Sequence, residues 1–351
     1  MAHKLAFIGF GVVGQGLAEI LRNKKVALKH EEGFEGEIVA ISDLMKGSIY
    51  HPNGLDITTA LQVLKETGNL ENYPNSPGLI TGWDSLKTIR ETNADTIIEV
   101  SYTDVNTGQP AIDHCKAAFE SGKNVVMTNK GPVALAYKEL SEIANKHGVY
   151  WGFEGTVMSG TPALRMPIVT LAGNDITEIR GILNGTTNYI LTQMEAEGVS
   201  YESALKEAQE LGFAEADPTS DVEGFDARYK IVILANYVLK VPLAVDEVSC
   251  EGITGITLKD IEEAKAEGMR WKLLAKVRKE NGNVIASIAP EKIKVTDLLA
   301  SINGATNAIT YECDLLGTVT LSGAGAGKVE TGFSLLIDLI NIDRERQFAK
   351  I

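Results

Sequence analysis

The glycine-rich segment near the N-terminus constrains the fold more than any other part of the chain. An apolar run at residues 5–8 leads directly into GFGVVG at 9–14, and Leu17, Ile20 and Leu21 follow at helical spacing. A strand, a glycine turn and a helix in this order open a Rossmann-type sheet, whose first helix N-terminus binds a pyrophosphate. The pattern therefore predicts a dinucleotide-binding domain. The alternative is a doubly wound domain that binds no nucleotide.

The glycines of this segment have separate predicted roles. The first makes the tight turn, the second lets the main chain approach the pyrophosphate, and the third lets the helix pack on its strand. The G-x-G-x-x-G pattern is weak alone, but here it follows a strand and opens a helix. The predicted cofactor contacts in the segment are Gly9, Phe10, Gly11, Val12, Val13 and Gly14.

Asp43 stands at the end of a second predicted strand, residues 37–41. A carboxylate at this position accepts hydrogen bonds from the adenosine ribose and repels a 2′-phosphate, so Asp43 favours NAD over NADP. Lys46 could neutralise a phosphate if the loop folded back. Residues 44–83 exceed an ordinary connection in length and contain one predicted helix, at 58–66, so we interpret them as an insertion of unknown role.

Alternation of helices and strands then resumes. Helices are predicted at 84–91, 110–121 and 132–147, and strands at 95–100 and 124–127. Ligands bind at the carboxyl ends of parallel strands, so Ser101, Thr103 and Lys130 are predicted to face the cofactor or substrate. The alternative for Lys130 is a solvated lysine at a helix N-terminus.

The alternation ends near residues 149–153. Residues 176–192 predict a strand, a turn and a helix, and 269–289 and 306–321 predict antiparallel strands. The turn at 184–188 could cap that helix or bind a small polar ligand. Two domains suit the length of 351 residues.

The predicted fold class is therefore α/β. Residues 1–150, completed by 322–351, form a Rossmann-type doubly wound parallel sheet. Residues 151–321 form an α+β catalytic and dimerisation domain with a mixed, largely antiparallel sheet. Because open sheets often pair with a second copy, we expect a homodimer or a higher homo-oligomer.

Residues 207–234 contain the strongest candidate for catalytic chemistry. Glu215, Asp217, Asp221 and Asp226 crowd a short loop, and Lys230 lies one helical turn beyond Asp226. At this spacing the ammonium and the carboxylate share a helix face. A half-buried lysine beside carboxylates is a candidate proton donor or charge clamp. The alternative is a surface ion pair worth about 0.3–0.5 kcal/mol.

Two loops carry weaker patterns. Residues 154–162 are small and turn-rich, so their oxygens could hold a monovalent cation, although a structural turn is the alternative. Residues 322–329, SGAGAGKV, fail the phosphate-loop pattern because Ser322 replaces its first glycine and Val329 its hydroxyl residue. We instead interpret Gly325 and Gly327 as points where the main chain approaches the nicotinamide or the substrate.

Composition excludes several classes of partner. A net charge of −14 opposes binding to nucleic acid or to an anionic membrane. Cys115, Cys250 and Cys313 form no C-x-x-C pair, which fits a reducing, cytoplasmic setting. We expect no signal peptide before the first strand and no apolar stretch long enough to span a bilayer.

Five segments together resemble homoserine dehydrogenase over essentially the whole chain. They are FIGFGVVGQG at 7–16, TNKGPVA at 128–134, LNGTTNYIL at 183–191, LGFAEADPTSDVEGFDARYKIVILA at 211–235 and GAGAGKVETGFSLLIDL at 323–339. The segment at 211–235 is the specific one. The resemblance implies reversible, NAD(P)-dependent oxidation of L-homoserine to L-aspartate 4-semialdehyde, in threonine, methionine and isoleucine biosynthesis.

The resemblance also implies roles for particular residues. Lys230 matches the general acid/base, and Lys130 matches a lysine that works beside it. The implied substrate contacts are Glu215, Asp226, Asp221, Thr186 and Gly185, and the further cofactor contacts are Gly212, Glu215, Gly325 and Gly327. A sodium ion is implied on the loop of Glu154, Val157, Ser159 and Thr161, mostly through main-chain oxygens. Lys328 departs from the family, which more often has a small residue there.

Because the sequence stops at Ile351, we expect a short form that lacks the C-terminal regulatory domain of larger family members. The sequence therefore leaves open whether threonine regulates the enzyme. Lys130 and Lys230 are expected to converge on one reacting oxygen. An unperturbed lysine has a pKa of about 10.4, so a lysine base predicts faster oxidation at alkaline pH. The rival interpretations are another amino-acid-linked dehydrogenase and a non-catalytic NAD(H)-binding redox sensor.

Overall fold

The structure is a computed structural model that describes residues 2–280 and 283–345. The chain divides into two compact units, and each is described by itself. Unit 1 comprises Met1–Gly160 and Gly327–Ile351, and unit 2 comprises Thr161–Ala326. The sequence-based domain boundaries, after residue 150 and before residue 322, lie close in sequence to the divisions after Gly160 and before Gly327.

Unit 1 is built on a seven-stranded sheet with the order β4-β3-β2-β1-β5-β6-β7. Its strands are β1 His3–Ile8, β2 Gly36–Asp43, β3 Gly47–Tyr50, β4 Ile80–Thr81, β5 Thr96–Glu99, β6 Asn124–Met127 and β7 Trp151–Gly152. β1 pairs in parallel with β2 on one side and with β5 on the other. The strand order therefore reverses at β1, which is where ligands bind in open parallel sheets.

Helices cover the sheet of unit 1 because its central strands are apolar on both faces. They are α1 Val12–Asn23, α2 Lys25–Ala27, α3 Ile57–Thr67, α4 Ser85–Glu91, α5 Ala111–Glu120, α6 Lys130–His147 and, after unit 2, α13 Lys328–Asp343. Leu5, Phe7 and Ile8 of β1 have no exposed surface. Their core is shared with apolar residues of α13, such as Leu335 and Leu339, so the C-terminal helix completes the first domain.

The long segment between β2 and β5 adds two strands to the sheet of unit 1. Its strands β3 and β4 pair antiparallel and extend the sheet beyond β2. The helix predicted at 58–66 is confirmed as α3, which begins after Asp56, whose carboxylate accepts the N–H of Thr59 at 2.7 Å. A carboxylate at this position satisfies a helix N–H that lacks a partner.

Helix α6 begins at Lys130, two residues earlier than the predicted start at Pro132. The difference arises because Asn129 has extended main-chain angles and Lys130 the first helical ones, so Pro132 occupies the first turn. A proline is tolerated there, since the N–H groups of the first turn have no helical acceptor. Lys130 is therefore a helical residue at the carboxyl end of β6, and it is half-buried.

A buried lysine joins elements at the opposite, amino-terminal edge of this sheet. Lys123 directly precedes β6 and is 7% exposed. Its ammonium donates to the carbonyl oxygens of Ile89 at 2.5 Å and of Thr92 at 2.6 Å, at the end of α4. Burial lowers the pKa of Lys123 to about 8. Its role is structural, because its acceptors are the last carbonyl groups of a helix.

Unit 2 contains a six-stranded sheet with the order β13-β12-β8-β10-β11-β9. Its strands are β8 Ile176–Ile182, β9 Ser249–Cys250, β10 Met269–Glu280, β11 Asn283–Lys294, β12 Thr306–Cys313 and β13 Gly317–Ala324. All pairings are antiparallel except that of β9 with β11. The predicted mixed, largely antiparallel sheet is confirmed, and the α/β class with it.

The helices of unit 2 carry several of its predicted site residues. They are α7 Arg165–Val169, α8 Gly185–Glu197, α9 Tyr201–Glu210, α10 Thr219–Val222, α11 Phe225–Leu234 and α12 Leu258–Ala266. Helix α8 follows the central strand β8 directly, and α11 has a run of apolar residues from Ile231 to Leu234 that is fully buried. Among the described residues, every helix is too short or too polar to cross a bilayer.

Candidate active site

The glycine turn after β1 has the geometry of a phosphate-binding turn. Gly9 has a φ of +88°, and a Cβ there would lie 2.4 Å from the carbonyl oxygen of Val100, so only glycine fits. A Cβ at Gly11 would meet no atom within 4 Å, which leaves open space beside the main chain. Among the described residues no side chain caps α1, and the first turn of this helix has no acidic residue. These features fit a pyrophosphate at the helix N-terminus.

Asp43 ties this turn to the end of β2. Its carboxylate accepts the N–H of Phe10 at 2.7 Å and those of Met45 and Lys46 at 3.0 Å. Burial raises the pKa of Asp43, but the main-chain donors and the nearby Lys46 ammonium outweigh it and hold the pKa below its ordinary value. The group is therefore an anion at neutral pH, as a ribose acceptor must be.

The carboxyl ends of β5 and β6 carry the predicted contacts Ser101, Thr103 and Lys130. The Ser101 hydroxyl donates to the carboxylate of Glu99, the last residue of β5. The Thr103 hydroxyl lies 3.5 Å from the Ser101 carbonyl oxygen. Glu99 was missed by sequence reasoning. A glutamate closing the apolar strand TIIE was the available indication, because a carboxylate is seldom fully buried without partners.

Lys230 lies in a buried pair on helix α11. The residue is 7% exposed, and its ammonium donates to Asp226 Oδ2 and to the carbonyl oxygen of Leu183, both at 2.6 Å. The spacing predicted this pair, but the alternative of a surface ion pair is wrong, since the two side chains are 9% and 15% exposed. Within the described residues these two acceptors leave one ammonium N–H for a ligand.

Asn184 joins the two carboxylates of this network. Its Nδ2 donates to Asp221 Oδ1 at 2.7 Å and to Asp226 Oδ2 at 3.1 Å. Its Oδ1 accepts the N–H of Thr187 at 2.9 Å and so caps helix α8. Sequence reasoning offered capping or ligand binding for the turn at 184–188 and missed the bridge, which depends on residues far along the chain.

The surroundings of Asp221 disfavour the charged form of its carboxyl group. Burial, and then the charge of Asp226, raise its pKa, while bonds from Thr186 and Asn184 oppose the rise. The Thr186 hydroxyl lies 2.9 Å from Asp221 Oδ2 and 2.7 Å from the Phe213 carbonyl oxygen, but its single proton serves one of them at a time. Two adjacent carboxylates form a site for a cation, such as the ammonium of an amino acid.

Gly185 directly follows the bridging asparagine as the first residue of α8. A Cβ at Gly185 would lie 2.7 Å from the Ala305 carbonyl oxygen, so packing already requires glycine. The structure thus brings five residues into one hydrogen-bonded group in unit 2, which we call the carboxylate network. Its members are Lys230, Asp226, Asn184, Asp221 and Thr186.

Two predicted residues of the same segment lie outside the carboxylate network. Glu215 is exposed, and within the described chain its carboxylate makes no hydrogen bond, although its carbonyl oxygen accepts from Gln209 at 3.1 Å. Gly212 is exposed and has a φ of +77°. The substrate and cofactor roles of both residues stay predictions.

The glycines at the end of β13 have local packing reasons. A Cβ at Gly325 would lie 2.4 Å from Asn307 Nδ2, and one at Gly327 would lie 2.1 Å from Glu330 Oε2. Lys328 pairs with Glu19 of α1 at 2.7 Å, so its charge is already used within unit 1. Their predicted approach to the nicotinamide or the substrate stays a prediction.

The proposed cation loop contains one buried carboxylate, Glu154, which is 4% exposed, beside the buried Val157. Met158 and Ser159 have left-handed main-chain angles, with φ of 58° and 54°, which turn successive carbonyl groups in different directions. In unit 2 the Thr161 hydroxyl donates to the Ala324 carbonyl oxygen at 3.2 Å. The described chain has no cluster of three acidic, histidine or cysteine residues suited to a metal. The sodium ion expected on this loop therefore stays a prediction.

The glycine turn and the carboxylate network with its buried lysine are typical of one class of protein, the nicotinamide-dependent dehydrogenases. Comparison with known proteins gives the family. Residues 162–340 match the family model described as homoserine dehydrogenase. The NAD(+)-dependent homoserine dehydrogenase of Pseudomonas canavaninivorans is 44% identical over 341 residues, which are 97% of this chain and 96% of the relative. The homoserine dehydrogenase of Methanocaldococcus jannaschii is 42% identical, over 96% of this chain and 98% of that one.

A solved structure agrees with these relatives. A hyperthermophilic archaeal homoserine dehydrogenase in complex with NADPH superposes with a TM-score of 0.83 at 30% identity, over 98% of each chain. The chain belongs to the homoserine dehydrogenase family. It is therefore an oxidoreductase that acts on a CH–OH group with NAD(P), interconverting L-homoserine and L-aspartate 4-semialdehyde.

Replacing Asn184 with serine separates its two roles. Serine still caps a helix, so the melting temperature should fall by only a few degrees. The amide donor between Asp221 and Asp226 is lost, so their repulsion should disturb the substrate site and raise the KM for homoserine about tenfold. Steady-state kinetics and calorimetry measure both. An unchanged KM would show that Asn184 acts only as a cap.

Proposed function

We propose that Lys230 is the general acid/base of homoserine oxidation. The observation that carries this proposal is a buried ammonium with two protein acceptors and one remaining N–H. When the aldehyde is reduced, hydride reaches its carbon and negative charge develops on its oxygen, which an ammonium stabilises and protonates. In the oxidation direction the ammonium must first lose a proton, so the rate should rise with pH.

The same proposal assigns the substrate to the carboxylate network. Asp226 holds the ammonium of Lys230 in place, and Asp221 with Thr186 lies beside it. Carboxylates bind the cationic amino group of an amino acid, which neutral hydroxy substrates lack. Glu215 is proposed as a further acidic contact, and Gly212 as a main-chain contact, from the exposed loop before α10. Lys130 is proposed as a second cation acting on the reacting oxygen.

Changing Lys230 to methionine should lower turnover ~10²–10⁴-fold, because the proton donor and acceptor is lost, while NADH binding stays nearly intact. Homoserine-dependent formation of reduced nicotinamide and NADH titration measure the two effects. Lys272→Met is the matched control, since Lys272 is also buried in unit 2 and donates to Asn188 Oδ1 at 2.9 Å and to the Ile302 carbonyl oxygen at 2.5 Å. The control should lose stability but keep turnover. Equal loss of NADH affinity in Lys230→Met would contradict the proposal.

Lys130→Met tests the second lysine in the same assay. We expect a loss of turnover that does not multiply fully with that of Lys230→Met, because groups acting on one oxygen are not additive. If the double variant loses turnover by the product of the two single factors, the two lysines act independently and the proposal of a shared oxygen is contradicted.

We further propose that NAD is the preferred cofactor. The Asp43 anion at the end of β2 supports this, as does the NAD(+)-dependent relative, whereas the solved archaeal relative is in complex with NADPH. Asp43→Ser should lower kcat/KM for NAD about tenfold and raise that for NADP, because a ribose acceptor and a repulsive charge are lost together. Asp56→Ser is the control, since Asp56 also accepts a main-chain N–H, at the start of α3. A wild-type enzyme faster with NADP would refute the preference.

Sodium is proposed for the loop of Glu154, Val157, Ser159 and Thr161. Sodium chloride should then raise the melting temperature by a few degrees over potassium chloride at equal ionic strength, by mass action on the folded state. Glu154→Gln should abolish the difference. An equal melting temperature in both salts for the wild-type protein would remove this proposal.

The assembly and setting are also proposals. The open sheet of unit 2, with β13 as an edge strand and exposed Leu315 and Leu316 in its hairpin, supports a homodimer or higher oligomer, which sedimentation velocity measures. The three free cysteines support a cytoplasmic setting. The net charge of −14 opposes nucleic acid and an anionic membrane as partners. We place the reaction in threonine, methionine and isoleucine biosynthesis, which complementation of a homoserine auxotroph tests.

A further inference from the structure

Glu99 is a fully buried carboxylate that the proposed chemistry does not use. It closes β5 at the carboxyl edge of the unit 1 sheet and has no exposed surface. Its Oε1 accepts the Ser101 hydroxyl and His114 Nδ1, the latter at 3.1 Å, and its Oε2 accepts Asn129 Nδ2. Burying a carboxylate is costly unless donors surround it. Three donors from three different segments therefore converge on this one group.

The Glu99 carboxylate determines which hydrogen-bonding groups its neighbours can offer to a ligand. The Ser101 hydroxyl has one proton, which it donates to Glu99. Asn129 has two amide N–H groups, one on Glu99 and one on the Ser101 carbonyl oxygen at 2.9 Å. Because both neighbours are acceptors, the Asn129 amide has one possible orientation. Only lone pairs remain, on Ser101 Oγ and Asn129 Oδ1.

Both remaining acceptors belong to half-buried residues at the carboxyl edge of β5 and β6, where Ser101, Thr103 and Lys130 are predicted to face the cofactor or substrate. Asn129 directly precedes Lys130, and Ser101 is itself a predicted cofactor contact. A pair of acceptors selects a ligand group with two N–H donors. The nicotinamide carries such a group, because its ring substituent is a carboxamide with an NH₂.

We propose that Glu99 is a positioning residue that holds Ser101 and Asn129 as hydrogen-bond acceptors for the carboxamide NH₂ of the nicotinamide. This inference rests on the proposed function only in placing the nicotinamide at this edge. A fixed carboxamide fixes the rotation of the ring, and hydride transfer depends on that orientation. Glu99 itself touches neither the substrate nor the reacting atoms.

The test compares NAD⁺ with its 3-acetylpyridine analogue, in which a methyl group replaces the carboxamide NH₂. Dissociation constants are measured by calorimetry for the wild-type protein and for Glu99→Gln. The wild-type protein should bind NAD⁺ about tenfold more tightly than the analogue, because two hydrogen bonds are lost with the NH₂. Glutamine keeps one oxygen and replaces the other with an NH₂ that donates. In Glu99→Gln the neighbour at the NH₂ position, Ser101 or Asn129, therefore loses its acceptor and can reorient. The preference should fall to about threefold or less, and kcat/KM should follow it.

Two further variants keep the test decisive. Ser101→Ala removes one acceptor while Glu99 stays, and it should halve the preference or reduce it further. Lys123→Met is the control, because Lys123 is buried at the opposite edge of the same sheet; it should destabilise the fold and leave the preference unchanged. If Glu99 has a purely structural role, Glu99→Gln should weaken the binding of NAD⁺ and of the analogue by the same factor. That result would overturn the inference, because the preference for NAD⁺ would be unaltered.

The outcomes also separate this inference from the proposed function. A wild-type protein that discriminates between the two cofactors but forms no reduced nicotinamide with homoserine would contradict the proposed function alone. An active wild-type protein whose cofactor preference survives Glu99→Gln would contradict the positioning role alone.

Discussion

The buried ion pair of Lys230 and Asp226 is the interaction on which the proposed chemistry of unit 2 depends. An ammonium removed from water is costly, and the cost is offset only by a close carboxylate and a main-chain acceptor. Here the Asp226 carboxylate and the Leu183 carbonyl oxygen both lie 2.6 Å from the ammonium. The helix and the central strand of unit 2 must therefore keep their relative positions, since a shift of either would leave a buried charge without its partner.

The carboxylate network carries a second cost, the repulsion between Asp221 and Asp226. Asn184 reduces it by donating to both carboxylates, and the pKa of Asp221 nevertheless remains raised. Such a site is more acidic than the fold needs, and a cationic substrate group would relieve the repulsion. If the carboxylate network binds the substrate as proposed, its unbalanced negative charge lowers stability in favour of function, as is common at functional sites.

In unit 1 two carboxylates connect loops at the carboxyl edge of the sheet. Asp43 and Glu99 stand at the carboxyl ends of β2 and β5, on either side of β1. Asp43 secures the glycine turn through the Phe10 N–H, and Glu99 orders the hydrogen-bonding groups of Ser101 and Asn129. Each acid accepts from more than one segment, so each also connects loops at the carboxyl edge of the sheet, which is where open parallel sheets bind their ligands.

The sequence by itself determined what depends on local spacing. The glycine turn, the limits of β5, β6, α4 and α5 to within a residue, the antiparallel second sheet and the i,i+4 pair of Lys230 with Asp226 all follow from patterns within a few residues. The start of α6 and the strands inside residues 44–83 did not, because main-chain angles and edge pairing there depend on neighbouring elements.

Only the tertiary structure decided the burial of Lys230 and the partners of Asn184 and Glu99. Asn184 reaches carboxylates 37 and 42 residues further along the chain, and Glu99 binds an amide 30 residues away. No periodicity relates residues so far apart, since their meeting depends on how strands and helices pack. The physical reason is that a buried polar group must find its donors and acceptors wherever the fold brings them.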